Sequence, residues 1–296
     1  MNTNKSSSVT ITTDASAIPS VPAWFGEVTL LAHTLTRLGL LAKISEQVHF
    51  ARKRFGTFEV IDFVVMLIGY AISGEPTLKA YYERLEPFAS SFMALFGRSQ
   101  LPHRATLSRF LAALDGTAVE ALRSVFLQDA LARLGPEADV GGLWDRQGNR
   151  WIVFDLDGTR QTARQRALPQ GPDLPPPPRR LSAVCAPGYT GRKRGELVRT
   201  RTTLLQAHTQ QWLFTCGAAG NGDYRGELLR GLSVIVAYQS ALGLLPHQAL
   251  VRLDGLYGNA TILVDLMAAG VCFVMRGKDY ALAGSAAGQG APRLAC

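Results

Sequence analysis

The first half of the chain carries a helical pattern of apolar residues. Residues 58–73 form a dense apolar stretch that follows Thr57 and stops before Gly74, as expected of a capped and buried helix. Apolar positions at helical spacing predict three further helices, over residues 77–96, 104–114 and 119–134. The pattern therefore predicts a helical domain over residues 26–140, preceded by a Ser- and Thr-rich disordered leader over residues 1–25.

The second half changes to strand-like patterns. The apolar run over residues 151–155 predicts a strand that leads into Asp157, and two β-branched segments separated by Thr209 and Gln210 predict a hairpin. Helix and strand patterns then alternate, over residues 224–242, 249–254, 259–269 and 271–276. Antiparallel strands followed by helical crossovers predict a mixed sheet, so the expected class is α+β/α/β.

A segment without apolar periodicity separates the first strand from the hairpin. The four prolines of residues 175–178 exclude a helix or a central strand, which makes residues 160–187 a loop within a Pro-rich and basic insert over residues 160–196. The second part of the insert and the strand that follows are strongly basic, with a single acid, Glu196. The seven basic residues are Arg179, Arg180, Arg192, Lys193, Arg194, Arg199 and Arg201. Lys and Arg hold backbone phosphates, so this run predicts a DNA contact. The alternative is a solvated charged loop.

Composition narrows the class of partner. Lys and Arg number 31 against 23 Asp and Glu, and the resulting charge of +8 favours an anionic partner such as nucleic acid or an acidic membrane surface. The four cysteines form no close pair, which argues against a zinc ribbon or a disulfide scaffold and fits a cytoplasmic protein. The apolar runs 60–72 and 231–246 are shorter than the ~20 residues that a bilayer requires, so no membrane contact is predicted.

Acidic residues lie at the ends of two of the predicted strands. Asp155 ends the first and Asp157 comes just after it, and Asp254 ends the strand at 249–254. Ligands of open α/β sheets bind at such strand ends, and carboxylates are the side chains that bind Mg²⁺ or Mn²⁺ for phosphoryl transfer. Asp157 and Asp254 are therefore the predicted metal ligands, with Asp155 as a further candidate catalytic acid. The alternative is that each Asp caps a turn beside a glycine.

Several motifs, in this order, resemble those of DDE-type insertion-sequence transposases. Trp151–Thr159 (WIVFDLDGT) looks like the first catalytic strand of that family and Val251–Gly258 (VRLDGLYG) like its second catalytic segment. Gly188–Glu196 (GYTGRKRGE) with Val198–Gln206 resembles the insert and second strand of one transposase group. Thr106–Leu111 (TLSRFL) resembles the end of the helical DNA-binding region. Together these motifs cover the chain from about Phe55 to Tyr280.

The resemblance implies a specific organisation. Residues 26–140 become a helical DNA-binding domain. Arg104, Ser108 and Arg109 are candidates for a recognition helix, and the alternative is an ordinary amphipathic helix. Residues 150–280 become a ribonuclease-H-like catalytic domain with a divalent metal, Mg²⁺ or Mn²⁺, that cleaves and rejoins the ends of double-stranded DNA. A homodimer on DNA and a bacterial, nucleoid-associated protein are also implied.

The chain lacks the third acidic residue at the place where the family has it. The family uses a third acid, usually Glu, well after the second Asp, whereas Glu227 is the last glutamate and only Asp265 and Asp279 follow Asp254. With a low-complexity tail over residues 281–296, this predicts a C-terminally incomplete domain with impaired strand transfer.

Two other functions stay open from the sequence. Phe154–Thr159 also matches the opening motif of haloacid-dehalogenase-type phosphatases, with Asp155 as nucleophile and Asp157 as general acid. The second alternative is a DNA-binding remnant without catalytic activity.

Overall fold

A computed structural model describes residues 20–49, 57–114, 116–162, 186–189, 194–217 and 224–277. The chain divides into a helical unit, Met1–Phe126, and a sheet unit, Leu127–Cys296. Each unit has its own core of buried apolar side chains. The tail over residues 281–296 and most of the predicted leader lie outside the described residues.

The helical unit is built from short helices. They are α1 (Trp24–Arg37), α2 (Leu40–Gln47), α3 (Val60–Ser73), α4 (Leu78–Leu85), α5 (Ala89–Leu95), α6 (Arg104–Ala113) and the first part of α7 (Gly116–Ala132). The single helix predicted over residues 77–96 is wrong, because a 3-10 turn at Glu86–Phe88 separates α4 from α5. Pro87 explains the break, since a proline ring lacks the amide hydrogen and crowds the preceding turn.

Helix α3 forms the centre of this unit. Its buried residues include Phe63, which stacks on Phe110 of α6 with ring centroids 4.2 Å apart. Asp62 is buried and accepts a hydrogen bond from Arg98 Nε at 2.6 Å, so its charge is compensated inside the unit. Among the described residues no single helix is long and apolar enough to cross a bilayer, although α3 and Leu78–Leu95, which are bent by 97° relative to each other, together meet the criteria of length and composition.

The sheet unit contains the predicted mixed sheet. Its strands are β1 (Leu143–Trp144), β2 (Arg150–Thr162), β3 (Ala186–Tyr189), β4 (Arg194–Gln206), β5 (Gln211–Cys216), β6 (Ala249–Leu253) and β7 (Cys272–Met275). β4 pairs antiparallel with β2 on one side and with β3 and β5 on the other, while β6 pairs parallel with β2 and with β7. The hairpin of β4 and β5 is confirmed, and Gln210 adopts a left-handed φ of 58° in its turn.

Strand β2 is longer than predicted. β2 does not end near Asp155 and Asp157 but continues to Thr162, so both acids lie inside the strand, and residues 160–162 do not belong to a loop. At the other end of the predicted loop, residues 186 and 187 belong to β3. The reason is pairing: Asp157 to Thr162 are opposite residues 203 to 198 of β4, and this ladder overrides the turn-like composition of Asp-Gly-Thr. Asp254, in contrast, directly follows β6 and so lies at the strand end, as predicted.

Helices cover one face of the sheet, whereas the other face is largely exposed to solvent. Helix α8 (Tyr224–Ala241) packs on one face, where Tyr238 meets Phe154 edge-to-face at 5.4 Å and the backbone of Gly231 approaches Leu156. Helix α9 (Ala260–Ala268) connects β6 to β7. We call the opposite face the open face, because most of the described side chains that project from it are exposed or half-buried; they include Asp155, Asp157, Arg199, Arg201, Thr203, Leu205, Trp212, Arg252 and Val274.

Candidate functional site

The two predicted metal ligands occupy neighbouring strands at the same level. The parallel register of β2 and β6 ends with Leu156 opposite Leu253, so the next residues along, Asp157 and Asp254, are adjacent. Asp254 keeps an extended backbone, with φ −79° and ψ 179°. Adjacent strands lie about 4.8 Å apart, and directly paired residues point to the same face. The two carboxylates therefore project together from the open face.

Local hydrogen bonds position both carboxylates. Asp157 Oδ2 accepts from the hydroxyl of Thr159 at 2.9 Å, and Asp254 Oδ1 accepts from the backbone N–H of Leu256 at 2.9 Å. The second bond caps a 3-10 turn over Gly255–Tyr257. Asp254 is thus a turn cap, as the alternative interpretation expected, and it also lies beside Asp157.

Tyr257 supports this pair from the helix-covered side. The residue is fully buried, and a Cβ added to Gly158 would lie 2.7 Å from its hydroxyl, so the glycine allows the close approach. Burial raises the pKa of Tyr257; the Thr202 hydroxyl lowers it, and the carboxylates of Glu227, Asp254 and Asp157 raise it further. The phenol hydroxyl therefore lies within electrostatic reach of three acids.

Glu227 is the buried acid of the group. It lies in the first turn of α8, is 4% exposed, and accepts hydrogen bonds from the hydroxyls of Thr200 and Thr202 on β4. These threonines belong to the helix-covered face, so Glu227 is separated from the open face by the sheet. In keeping with this, the described part of the chain contains no group of three or more His, Cys, Asp or Glu residues able to hold a metal ion.

Asp155 has a different partner from Asp157. Its two oxygens accept from Arg252 Nε and Nη2, each at 2.5 Å. The two residues are opposite each other in the β2–β6 register and lie one pleat below Asp157 and Asp254. The hydrogen bond that Arg252 donates to Asp155 raises the pKa of Arg252. Asp155 is therefore held by an ion pair, whereas Asp157 is held by a neutral hydroxyl.

Arginines flank the carboxylate pair on the open face. Arg201 is opposite Thr159, one pleat along β2 from Asp157, whereas Arg199 is opposite Gln161, one pleat further away; both are exposed. Arg276 follows Met275, which pairs with Leu253, and its aliphatic chain lies close to Gly255. The structure thus places one predicted DNA-binding residue, Arg201, beside the predicted metal ligands and a second, Arg199, further along the same face.

Other predicted residues do not join this site. Arg179, Arg180, Arg192 and Lys193 lie outside the described residues, and Arg194 is described only by its backbone in β4. Arg104 and Arg109 lie on α6 of the helical unit and are exposed, as their spacing predicted. Arg109 hydrogen bonds to Thr106 Oγ1 and to the carbonyl of Ala105 on its own helix.

Sequence reasoning missed Arg252, Glu227 and Tyr257. Arg252 could have been found, because it precedes Asp254 by two residues in an alternating strand and must share its face. Glu227 and Tyr257 carry no comparable signal, since their partners on β4 and β2 are distant in sequence.

Comparison with known proteins gives distant structural similarity. No family model and no curated protein matches the chain. Its fold is similar to that of the piggyBac transposase in a synaptic complex with hairpin DNA, with a TM-score of 0.39 and 10% identity over 87% of this chain and 54% of the other. It is also similar to the Mos1 transposase in a paired-end complex with the left transposon end, with a TM-score of 0.27 and 12% identity over 78% and 61% of the two chains. A pre-cleavage Mos1 transpososome gives a TM-score of 0.27 and 11% identity over 78% and 62%. The chain spans between 54% and 62% of the length of these solved chains.

Proposed function

We propose that the chain is a transposase of the DDE insertion-sequence type, whose sheet unit is ribonuclease-H-like and acts on the ends of double-stranded DNA. The observation that carries the proposal is the pair Asp157 and Asp254, adjacent on the open face and flanked by arginines. Paired carboxylates attract cations and repel phosphate, so their position beside Arg201 suits a substrate that brings a metal ion and phosphates together.

The donor set fits Mg²⁺ or Mn²⁺. Mg²⁺ in proteins is typically held by one or two carboxylates, with water and substrate phosphates completing its shell. Asp157 and Asp254 would hold the ion, which supplies charge neutralisation and an acidified water when bound. The protein's own contribution is positional, because Thr159 and the turn over Gly255–Tyr257 orient the two carboxylates.

DNA binding follows from the basic residues around the pair. Arg201 and Arg276 lie beside the carboxylates, Arg199 lies further along the open face, and the whole chain carries a charge of +8. We assign the exposed Arg104 and Arg109 of α6 to a second DNA contact in the helical unit, and we expect two copies of the chain to act together on DNA.

Strand transfer is expected to be impaired. The family that the sequence resembles uses three acids, whereas no group of three metal-binding side chains occurs among the described residues, and the third acid of the open face, Asp155, is paired with Arg252. Glu227 does not replace it, because it is buried under the opposite face with Thr200 and Thr202 as its partners.

The phosphatase alternative is disfavoured by the ion pair of Asp155. A nucleophilic carboxylate needs an oxygen that can attack phosphorus. Both oxygens of Asp155 instead accept hydrogen bonds from Arg252, which stabilises the charge and lowers its nucleophilicity.

The proposal is tested by Mn²⁺ titration calorimetry and by DNA binding at several salt concentrations. Asp157→Asn and Asp254→Asn should each weaken Mn²⁺ binding at least tenfold and leave DNA affinity equal or slightly higher, because a negative charge near phosphates is removed. Glu227→Gln should keep Mn²⁺ affinity and serves as the control. Unchanged Mn²⁺ binding in both Asp variants, or DNA binding that does not depend on salt, contradicts the proposal.

A further inference from the structure

Arg252 presents unused hydrogen-bond donors on the open face. Its side chain is 54% exposed, and Asp155 engages Nε and Nη2. An arginine has five N–H donors in a planar fork. In the described part of the chain Asp155 is its ion-pair partner, and that contact engages one edge of the guanidinium and leaves the Nη1 edge for another acceptor.

The position of this edge is defined by the strands. Arg252 precedes Asp254 by two residues, so their Cα atoms are about 6.6 Å apart along β6. Asp155 stands in the same relation to Asp157 on β2. The ion pair therefore lies one pleat below the carboxylate pair, on the same face and on the same two strands.

Stability alone is a weak reason for this ion pair. Arg252 is half exposed and Asp155 is 34% exposed, and ion pairs between exposed side chains contribute little to folding. An arginine fork held by a carboxylate is instead pre-organised, because the guanidinium cannot turn freely and its outer edge matches a phosphate.

We propose that Arg252 binds a DNA backbone phosphate next to the carboxylate pair of Asp157 and Asp254, and that Asp155 is the positioning residue that orients its guanidinium. The inference rests on the proposed function and adds a specific substrate contact to it. Arg252 supplies positive charge at a place where two carboxylates would otherwise repel the DNA backbone.

The test measures DNA affinity against salt concentration in the presence of a chelator, so that no metal contributes. Loss of one phosphate contact makes the slope of log K against log salt concentration less steep by about 0.9. Over one decade of salt this is a factor of about eight, so the loss of affinity relative to the wild type should be about eightfold greater at 0.1 M salt than at 1 M. Arg252→Gln is expected to show both effects. Arg252→Lys should keep most of the slope, and Asp155→Asn should keep the slope because the arginine charge remains.

A second ion pair supplies the matched control. Arg225 of α8 binds Asp265 of α9 through two hydrogen bonds of 2.7 and 3.0 Å, in the helical layer on the other side of the sheet. Arg225→Gln removes the same charge away from the open face and should leave the slope unchanged. The double variant Asp155→Asn with Arg252→Gln removes both charges of the ion pair, so no unpaired carboxylate remains. If its slope is also less steep than that of the wild type, misfolding around an unpaired carboxylate is not the cause.

The outcomes separate the two proposals. Wild-type slopes in both Arg252→Gln and the double variant overturn the role of Arg252, while salt-dependent binding by the wild-type chain leaves the proposed function intact. A wild-type chain that does not bind duplex DNA overturns both. A slope that falls as much in Arg225→Gln as in Arg252→Gln also refutes a specific contact at the open face.

Discussion

Gly158 is the position where a single methyl group tests the support of the carboxylate pair. It lies on β2 between Asp157 and Thr159, and its Cα faces the helix-covered side. An added Cβ would lie 2.7 Å from the Tyr257 hydroxyl, 3.0 Å from Leu256 Cδ2 and 3.2 Å from Tyr224 Cδ1. Contacts this short force a neighbour to move, and the fully buried Tyr257 has little free space into which to turn.

The cost of Gly158→Ala follows from this overpacking. An extra methyl group in a packed core destabilises by about 1–3 kcal/mol. Because Tyr257 belongs to the turn that Asp254 caps, its displacement also moves Asp254 away from Asp157. A loss of about 1.4 kcal/mol in the metal site corresponds to a tenfold weaker Mn²⁺ affinity. We expect Gly158→Ala to lower the free energy of unfolding in urea and to weaken Mn²⁺ binding by about this factor.

Two variants show whether the cause is the contact with Tyr257. Tyr257→Phe removes the oxygen nearest to the added methyl group, so the double variant should recover part of the lost stability as a coupling energy in a double-mutant cycle. Gly226→Ala on α8 has nothing within 4 Å of the added Cβ and should be neutral or stabilising. Wild-type stability in Gly158→Ala, or no coupling with Tyr257→Phe, would refute the packing argument.

Two further predictions concern buried polar groups. Glu227→Gln should lose about 1–3 kcal/mol of unfolding free energy in urea, because the amide nitrogen accepts no hydrogen bond and either Thr200 or Thr202 therefore loses its acceptor; a loss below about 0.5 kcal/mol contradicts those bonds. Burial raises the pKa of Tyr82 to about 12 and raises that of Tyr81 as well. Both phenols ionise more readily in the unfolded chain, so their contribution to stability is present below pH 10 and is lost as the pH rises from about 10 towards 12. Over this pH range the urea midpoint of the wild type should fall by more than that of Tyr82→Phe. Equal falls in the two proteins contradict the raised pKa of Tyr82.

The architecture of the sheet unit could be predicted where local pattern and pairing agree. The hairpin of β4 and β5 has two β-branched segments and a two-residue turn, and it forms as expected. The end of β2 could not be predicted, because Asp-Gly-Thr favours a turn locally. It becomes a strand only because β4 is long enough to pair with it to Thr162. That information lies some 40 residues further along the chain.

The candidate site was predictable by residue type but not by arrangement. Asp157 and Asp254 were expected to meet at strand ends, yet one lies within β2 and the other after β6, and only the register of the two strands makes them adjacent. Arg252 follows from the period of two that places it on the face of Asp254. Glu227 does not follow from any local rule, because a carboxylate in a buried helix is acceptable only after the threonine hydroxyls of β4 are in place.

The two faces of the sheet separate stability from chemistry. On the helix-covered face the polar groups, Glu227 and Tyr257, are enclosed by apolar side chains and hold the strands and the turn in position. On the open face the charges of Asp155, Asp157 and Arg252 remain in contact with solvent, where a metal ion and phosphates can reach them. Substitutions of the first kind should therefore change unfolding free energy first and ligand binding only through displacement. Substitutions of the second kind should change metal or DNA affinity with little effect on folding, because exposed ion pairs stabilise weakly.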